Sequence, residues 1–177
     1  DALTCTINPK GGWDVGIYIS NVPLWLQTFD YWKYISHIPA SIYLPNGKIG
    51  MFPSILGDKY FSLIENTPRV ALCMTVSILP TGLIENIRFF PAVINVRNNY
   101  TYENVTSDNV IYSELLSAAK CCNANSHYLS DINDSHDMVA FWMLLMNHEV
   151  GIKLLQMKCG IFRSAEYTPS LEMPKTK

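Results

Sequence analysis

The residues able to do chemistry in this chain are dispersed. Its four histidines, His37, His127, His136 and His148, fall in unrelated stretches. The adjacent His148 and Glu149, on a helical run, read as a solvated helix edge rather than a pair of metal ligands. Five cysteines (Cys5, Cys73, Cys121, Cys122, Cys159) make an odd set with one vicinal pair and no C-x-x-C spacing. That pattern suits neither a disulfide framework nor a zinc site and points to reduced thiols in an intracellular protein. The sequence contains no nucleophile elbow, P-loop, G-x-G-x-x-G or H-E-x-x-H, so the common catalytic signatures are absent. The stretch that stands apart is "SIYLPNGKIGMFPSIL", Ser41 to Leu56. It sets an aromatic-proline turn, a glycine turn and a second proline turn in succession, which would present Tyr43 on a stiff loop that soon doubles back.

Composition bounds what such a tyrosine could serve. With 49% hydrophobic and 16% charged residues among 177, the chain reads as a packed globule, one ordinary domain or part of a larger one. The formal net charge of −2 announces no nucleic-acid partner but leaves local basic patches open. The most apolar run, Met138 to Met146, is far shorter than the roughly 18 residues of a membrane span, and a soluble chain is expected. Sequons begin at Asn99, Asn104 and Asn133, and without a preceding signal peptide they carry little weight. The first residue is Asp1 rather than methionine, as expected of a processed terminus or a piece of a longer protein.

The elements that must position these residues follow from periodicity and turn chemistry. "LTCTI" (from Leu3) and "WDVGIYI" (from Trp13) flank "NPKGG" and predict a hairpin. "PLWLQTFDYWKYI" from Pro23 predicts a short helix packed by aromatics. "RVALCMTVSI" and "LIENIRFFPAVINV", separated by "LPTG", predict two long paired strands. A helix over Asn109 to Cys122 would bury Ile111, Leu115, Ala119 and Cys122, with Asp108 as its cap. After a polar loop, Asp134 and Asp137 resemble a capping box that opens a core helix over Met138 to Met157.

Six of these words, in this order, resemble the catalytic RNB domain of the ribonuclease II and ribonuclease R family, which includes the catalytic exosome subunit of eukaryotes. They are "DALTCTI", "VGIYISNVPLWL", "ASIYLPNGKIGMFPSILGDKYFSL", "PAVINV", "YTYENV" and "DMVAFWMLLMNHEV". The family counterparts read roughly "DIDDALSV", "VGVHIADVSHFV", "RGTSVYLPDRVIPMLPEKLSNELCSL", "SVI", "LTYEEV" and "MVEEFMLLANE".

The resemblance implies an α+β fold: an RNB-like mixed sheet of about five or more strands with helices packed on one side. Residues 1–177 would form the amino-terminal half of the catalytic domain, with 164–177 as a connector. It implies 3′-to-5′ hydrolysis of single-stranded RNA to nucleoside monophosphates with Mg²⁺, Tyr43 stacking on a nucleotide and Tyr102 lining the same channel. Asp1 would be the last member of the acidic, metal-binding cluster, its other members lying before the first residue. Other subunits of an RNA-degrading complex are implied partners, and the cytoplasm or nucleus the expected location. Some polar positions depart from the pattern: Asn21 and Ala140 stand where the family carries acids, Phe141 replaces a second glutamate, and "SHIPA" replaces the arginines before "YLP". The segment carrying a transition-state arginine lies beyond this chain. These departures leave an alternative, a catalytically degenerate RNB fold that grips RNA or a protein partner without cutting. The isolated chain is expected to be inactive.

Overall fold

The computed structural model describes residues 1–35, 40–105 and 109–162. Four strands form the main sheet: β1 (Ala2–Ile7), β2 (Trp13–Ser20), β5 (Pro68–Ile78) and β6 (Ile84–Asn95). Between β2 and β5 the chain makes α1 (Val22–Thr28), α2 (Trp32–Ile35), a small hairpin of β3 (Ile42–Leu44) and β4 (Gly47–Ile49), and a π-helical segment, Ile55–Tyr60. It then returns as β5 (Pro68–Ile78) and β6 (Ile84–Asn95), and ends in α3 (Val110–Ser126) and α4 (Ser135–Gln156).

The fold is α+β with helices against a multi-stranded sheet, as expected. The sheet order is β1-β2-β5-β6, and its ladders are antiparallel. It therefore has four strands where about five or more were expected, and the parallel pairing is an isolated bridge, Glu65 to Val96. The further pair of strands is the separate β3–β4 sheet. Strand alternation sorts the residues by face. Val15, Ile17, Met74, Val76 and Ile78 turn to one side and are buried with Leu115, Ala118, Ala119 and Cys122 of α3 and Met138, Phe141, Trp142 and Leu145 of α4.

The far turns are anchored to the helices. Gly82 has φ +81°, and a Cβ there would lie about 2.2 Å from the Cys121 carbonyl oxygen, so only glycine lets this turn approach α3. Asn125 Nδ2 donates to Thr81 O at 2.9 Å from the same helix. At the β5–β6 bulge, Asn86 takes φ 54° as the extra residue opposite Val76.

Several local expectations change. On α3, Ala118 is buried and Ile111 is 53% exposed, because the helix rotates its small residues toward the sheet. Its cap is Asn109, whose side chain accepts from Tyr112 N; Asp108 lies outside the described residues, as does the 164–177 connector. The loop before α4 is polar in composition, yet Ile132 is 1% exposed and joins the core. Helix α4 covers the predicted core helix and, by length and composition alone, is long and apolar enough to cross a membrane. Its buried residues pack on the sheet and α3.

Candidate nucleic-acid interface at one end of the sheet

Antiparallel pairing decides where the candidate residues gather. Ala2 pairs with Tyr18 and Ser20 with Ala71, so β1 starts, β2 ends and β5 starts at one end of the sheet. Strand β6 also ends there, since Pro68 pairs with Asn95. Asp1, Asn21, the β3–β4 hairpin carrying Tyr43, and the loop carrying Tyr102 are therefore all attached at this end. The opposite end holds the turns at 8–12 and 79–83.

The two insertions at the site end are fastened to each other. Glu65 N donates to Asn99 Oδ1 at 2.7 Å, Asn99 N donates to Glu65 Oε2 at 3.1 Å, and Asn99 Nδ2 donates to Leu63 O at 3.0 Å. The amide of the first sequon is thus engaged in structure. Arg69 at the start of β5 donates from Nε to Ser62 O and from Nη2 to Lys59 O, holding the π-helical segment on the sheet.

Tyr43 is 77% exposed. It lies on β3 directly opposite Lys48 of β4, and the Lys48 Nζ stands 5.8 Å from the tyrosine ring centroid. A two-residue connection, Pro45-Asn46, closes the hairpin, and Pro45 restricts its backbone. The result is a solvent-facing aromatic plane beside a cation. Lys48 was not singled out in the sequence, although a two-residue turn after Leu44 places it across from Tyr43.

Tyr102 is built differently. Its ring stacks on the His136 imidazole with centroids 3.7 Å apart and planes at 19°. Its carbonyl accepts from Ser135 Oγ at 3.0 Å, and the residue is 46% exposed. Beside it, the Glu103 carboxyl is held below its usual range, chiefly by its own backbone N–H, then by the Thr101 hydroxyl, with a smaller contribution from His136. Among the described residues no hydrogen bond, ion pair or ring contact joins Tyr43, Tyr102 and Asp1 to one another.

Asn21 caps α1, its Oδ1 accepting from Leu24 N at 3.2 Å. Asparagine and aspartate serve equally in that position, so the lost charge leaves the local fold intact. Ala140 is exposed on the outer side of α4, whereas Phe141 is fully buried and meets Trp142 edge-on at 5.1 Å. The aromatics expected to pack this region form a row from α1 into the connection to α2: Trp25 stacks with Phe29 at 5.4 Å and Phe29 with Tyr31 at 5.7 Å.

A Mg²⁺ site needs several hard oxygen ligands. Asp1 is exposed and precedes β1 alone, and among the described residues no three His, Cys, Asp or Glu side chains come together as a metal site. The described residues do not fit the ion by themselves.

A family model, the RNB domain, matches residues 1–114. The chain belongs to the RNB family. It is 34% identical over 108 residues to Exoribonuclease 2 of Vibrio vulnificus, covering 60% of this chain and 16% of that protein. In three dimensions it resembles Mycoplasma genitalium RNase R. The structure with double-stranded RNA gives a TM-score of 0.76 at 18% identity, covering 91% of this chain and 35% of that one. The structure with ribose-methylated single-stranded RNA gives 0.75 at 19%, covering 89% and 31%. Yeast Ssd1, a pseudonuclease, gives 0.57 at 15%, covering 67% and 16%. These structural likenesses establish the RNB fold, which the nuclease and the pseudonuclease share.

Proposed function

We propose that this chain supplies the RNA-holding part of a 3′-to-5′ exoribonuclease acting on single-stranded RNA. The observation that carries the reading is Tyr43, an exposed ring on a braced hairpin with Lys48 alongside. A base stacks on the ring and a neighbouring phosphate meets the ammonium. Such contacts ignore sequence, because every base has a π-face, and each stacked base is worth roughly 1–3 kcal/mol. Tyr102 is proposed as a second ring along the same strand of RNA, and Asp1 as one ligand of a Mg²⁺ site shared with acids outside this chain. Membership of the RNB family, which includes Exoribonuclease 2, supports the assignment.

A degenerate RNB module that binds without cutting is the second reading. Phe141 favours it, since a buried ring fills a position where the family pattern has an acid. Ssd1, described as a pseudonuclease, shares the fold.

The test is a nuclease assay of the full-length protein on 5′-labelled single-stranded RNA, with and without Mg²⁺, beside Tyr43→Ala. A Mg²⁺-dependent ladder shrinking from the 3′ end, with a changed end-product length in the variant, supports the nuclease. Binding without shortening, weakened by Tyr43→Ala, supports the degenerate module. RNA binding unaffected by Tyr43→Ala removes Tyr43 from both.

A further inference from the structure

We infer that His136 is a positioning residue for Tyr102, a fixed aromatic layer beneath the tyrosine ring that holds its free face flat for an RNA base. This rests on the proposed role of Tyr102 in binding RNA. The geometry is that of a layered stack: centroids 3.7 Å apart, planes 19° from parallel. Stacked aromatic rings attract each other beyond the area they bury. One face of Tyr102 is occupied by the imidazole, so its 46% exposure belongs to the other face and the edges.

A turn residue such as Tyr102 would otherwise sample several rotamers, and a base stacking on it would have to freeze them. His136 is itself well placed to act as a floor. It occupies the first turn of α4, where Asp134 Oδ1 accepts from Asp137 N and Asp137 Oδ2 accepts from Asn133 N, both at 2.9 Å. Directly behind it, Ser135 is a buried polar residue whose hydroxyl donates to the Tyr102 carbonyl. The tyrosine is therefore gripped twice by adjacent residues, through its backbone and through its ring. Further along the same helix, Met138, Phe141 and Trp142 lock α4 into the core. The platform is in this way tied to the hydrophobic core, although Tyr102 sits in a loop.

The arrangement separates a planar requirement from a merely space-filling one. His136→Phe keeps a flat ring, His136→Leu keeps bulk without planarity, and His136→Gln keeps polarity without a ring. The readout is binding of the full-length protein, without added metal, to single-stranded oligo(A) containing one 2-aminopurine, whose fluorescence falls when the base stacks.

With Tyr102→Ala expected to weaken binding about tenfold, His136→Leu and His136→Gln should each weaken it several-fold and recover fluorescence. His136→Phe should stay within about twofold of wild type. The double variant Tyr102→Ala/His136→Leu should be no weaker than Tyr102→Ala alone, because the histidine acts only through the tyrosine. Thermal unfolding of each variant identifies any that lose affinity by losing the fold.

Additive losses in the double variant, or full binding by folded His136→Leu and His136→Gln, would overturn the role of His136 while leaving the RNA reading intact. Wild type that neither binds nor quenches would overturn the RNA reading, and this inference with it.

Discussion

In the proposed RNA contact, Tyr43 and Lys48 would divide two tasks that RNA binding usually combines. The ring offers a contact of fixed worth to any base, whereas the ammonium contributes through counterion release and so depends on salt. Tyr43→Ala is expected to weaken binding about tenfold at any ionic strength, and Tyr43→Phe to leave it nearly unchanged. Lys48→Ala should instead lower the slope of log affinity against log salt by about 0.7. Titrations at several salt concentrations separate the two; equal slopes for wild type and Lys48→Ala would exclude a phosphate contact. The exposure of Tyr43 was legible in the sequence because Pro45 and the following glycine turn leave a stiff loop with little room to bury a ring. Tyr102 was legible only as a family word. Its partner His136 was not, because a stack between residues 34 apart depends on where a loop meets the start of α4.

At the scale of elements, the departures from the family pattern divide by the face they occupy. Asn21 holds the first turn of α1 through its side-chain oxygen. Asn21→Asp should therefore change stability by less than about 0.5 kcal/mol, and Asn21→Ala should cost about 1 kcal/mol. Ala140 and Phe141 are neighbours in sequence, but α4 turns one outward and the other into the core. Ala140→Glu should be tolerated. Phe141→Glu buries a carboxylate among Trp142 and Tyr128 and should cost about 3 kcal/mol or more. Chemical denaturation of both variants checks this; a stable Phe141→Glu protein would mean that the helix can rotate to expose the acid. The α4 start was readable from its paired aspartates, a local signal fulfilled locally. The buried set on α3 was not, because Ala118 and Ile111 differ in which side meets the sheet, and a weakly amphipathic helix does not declare that side.

At the scale of the whole molecule, the antiparallel sheet collects every proposed RNA contact at one end and leaves the Cys5 and Cys122 thiols in the core between sheet and helices. Burial pushes the Cys5 thiol up to about 12, with Glu114 and Asp14 adding to it. Burial likewise pushes Cys122 up to about 12, with Cys121 adding. In the unfolded chain such thiols ionise near 9.0. Above that pH the unfolded state has released protons that the folded state still holds, so stability falls as pH rises. Their contribution is fully present below about 9 and is lost progressively toward 12. The melting temperature should accordingly decline from pH 9 upward, and Cys5→Ala/Cys122→Ala should decline less steeply over the same range, even if its melting temperature is lower at pH 7. Lysines and tyrosines also titrate there, so the difference between the two curves is the measurement. Parallel curves would show that these thiols ionise as readily in the folded protein as in the unfolded chain, and that the packing around them admits water.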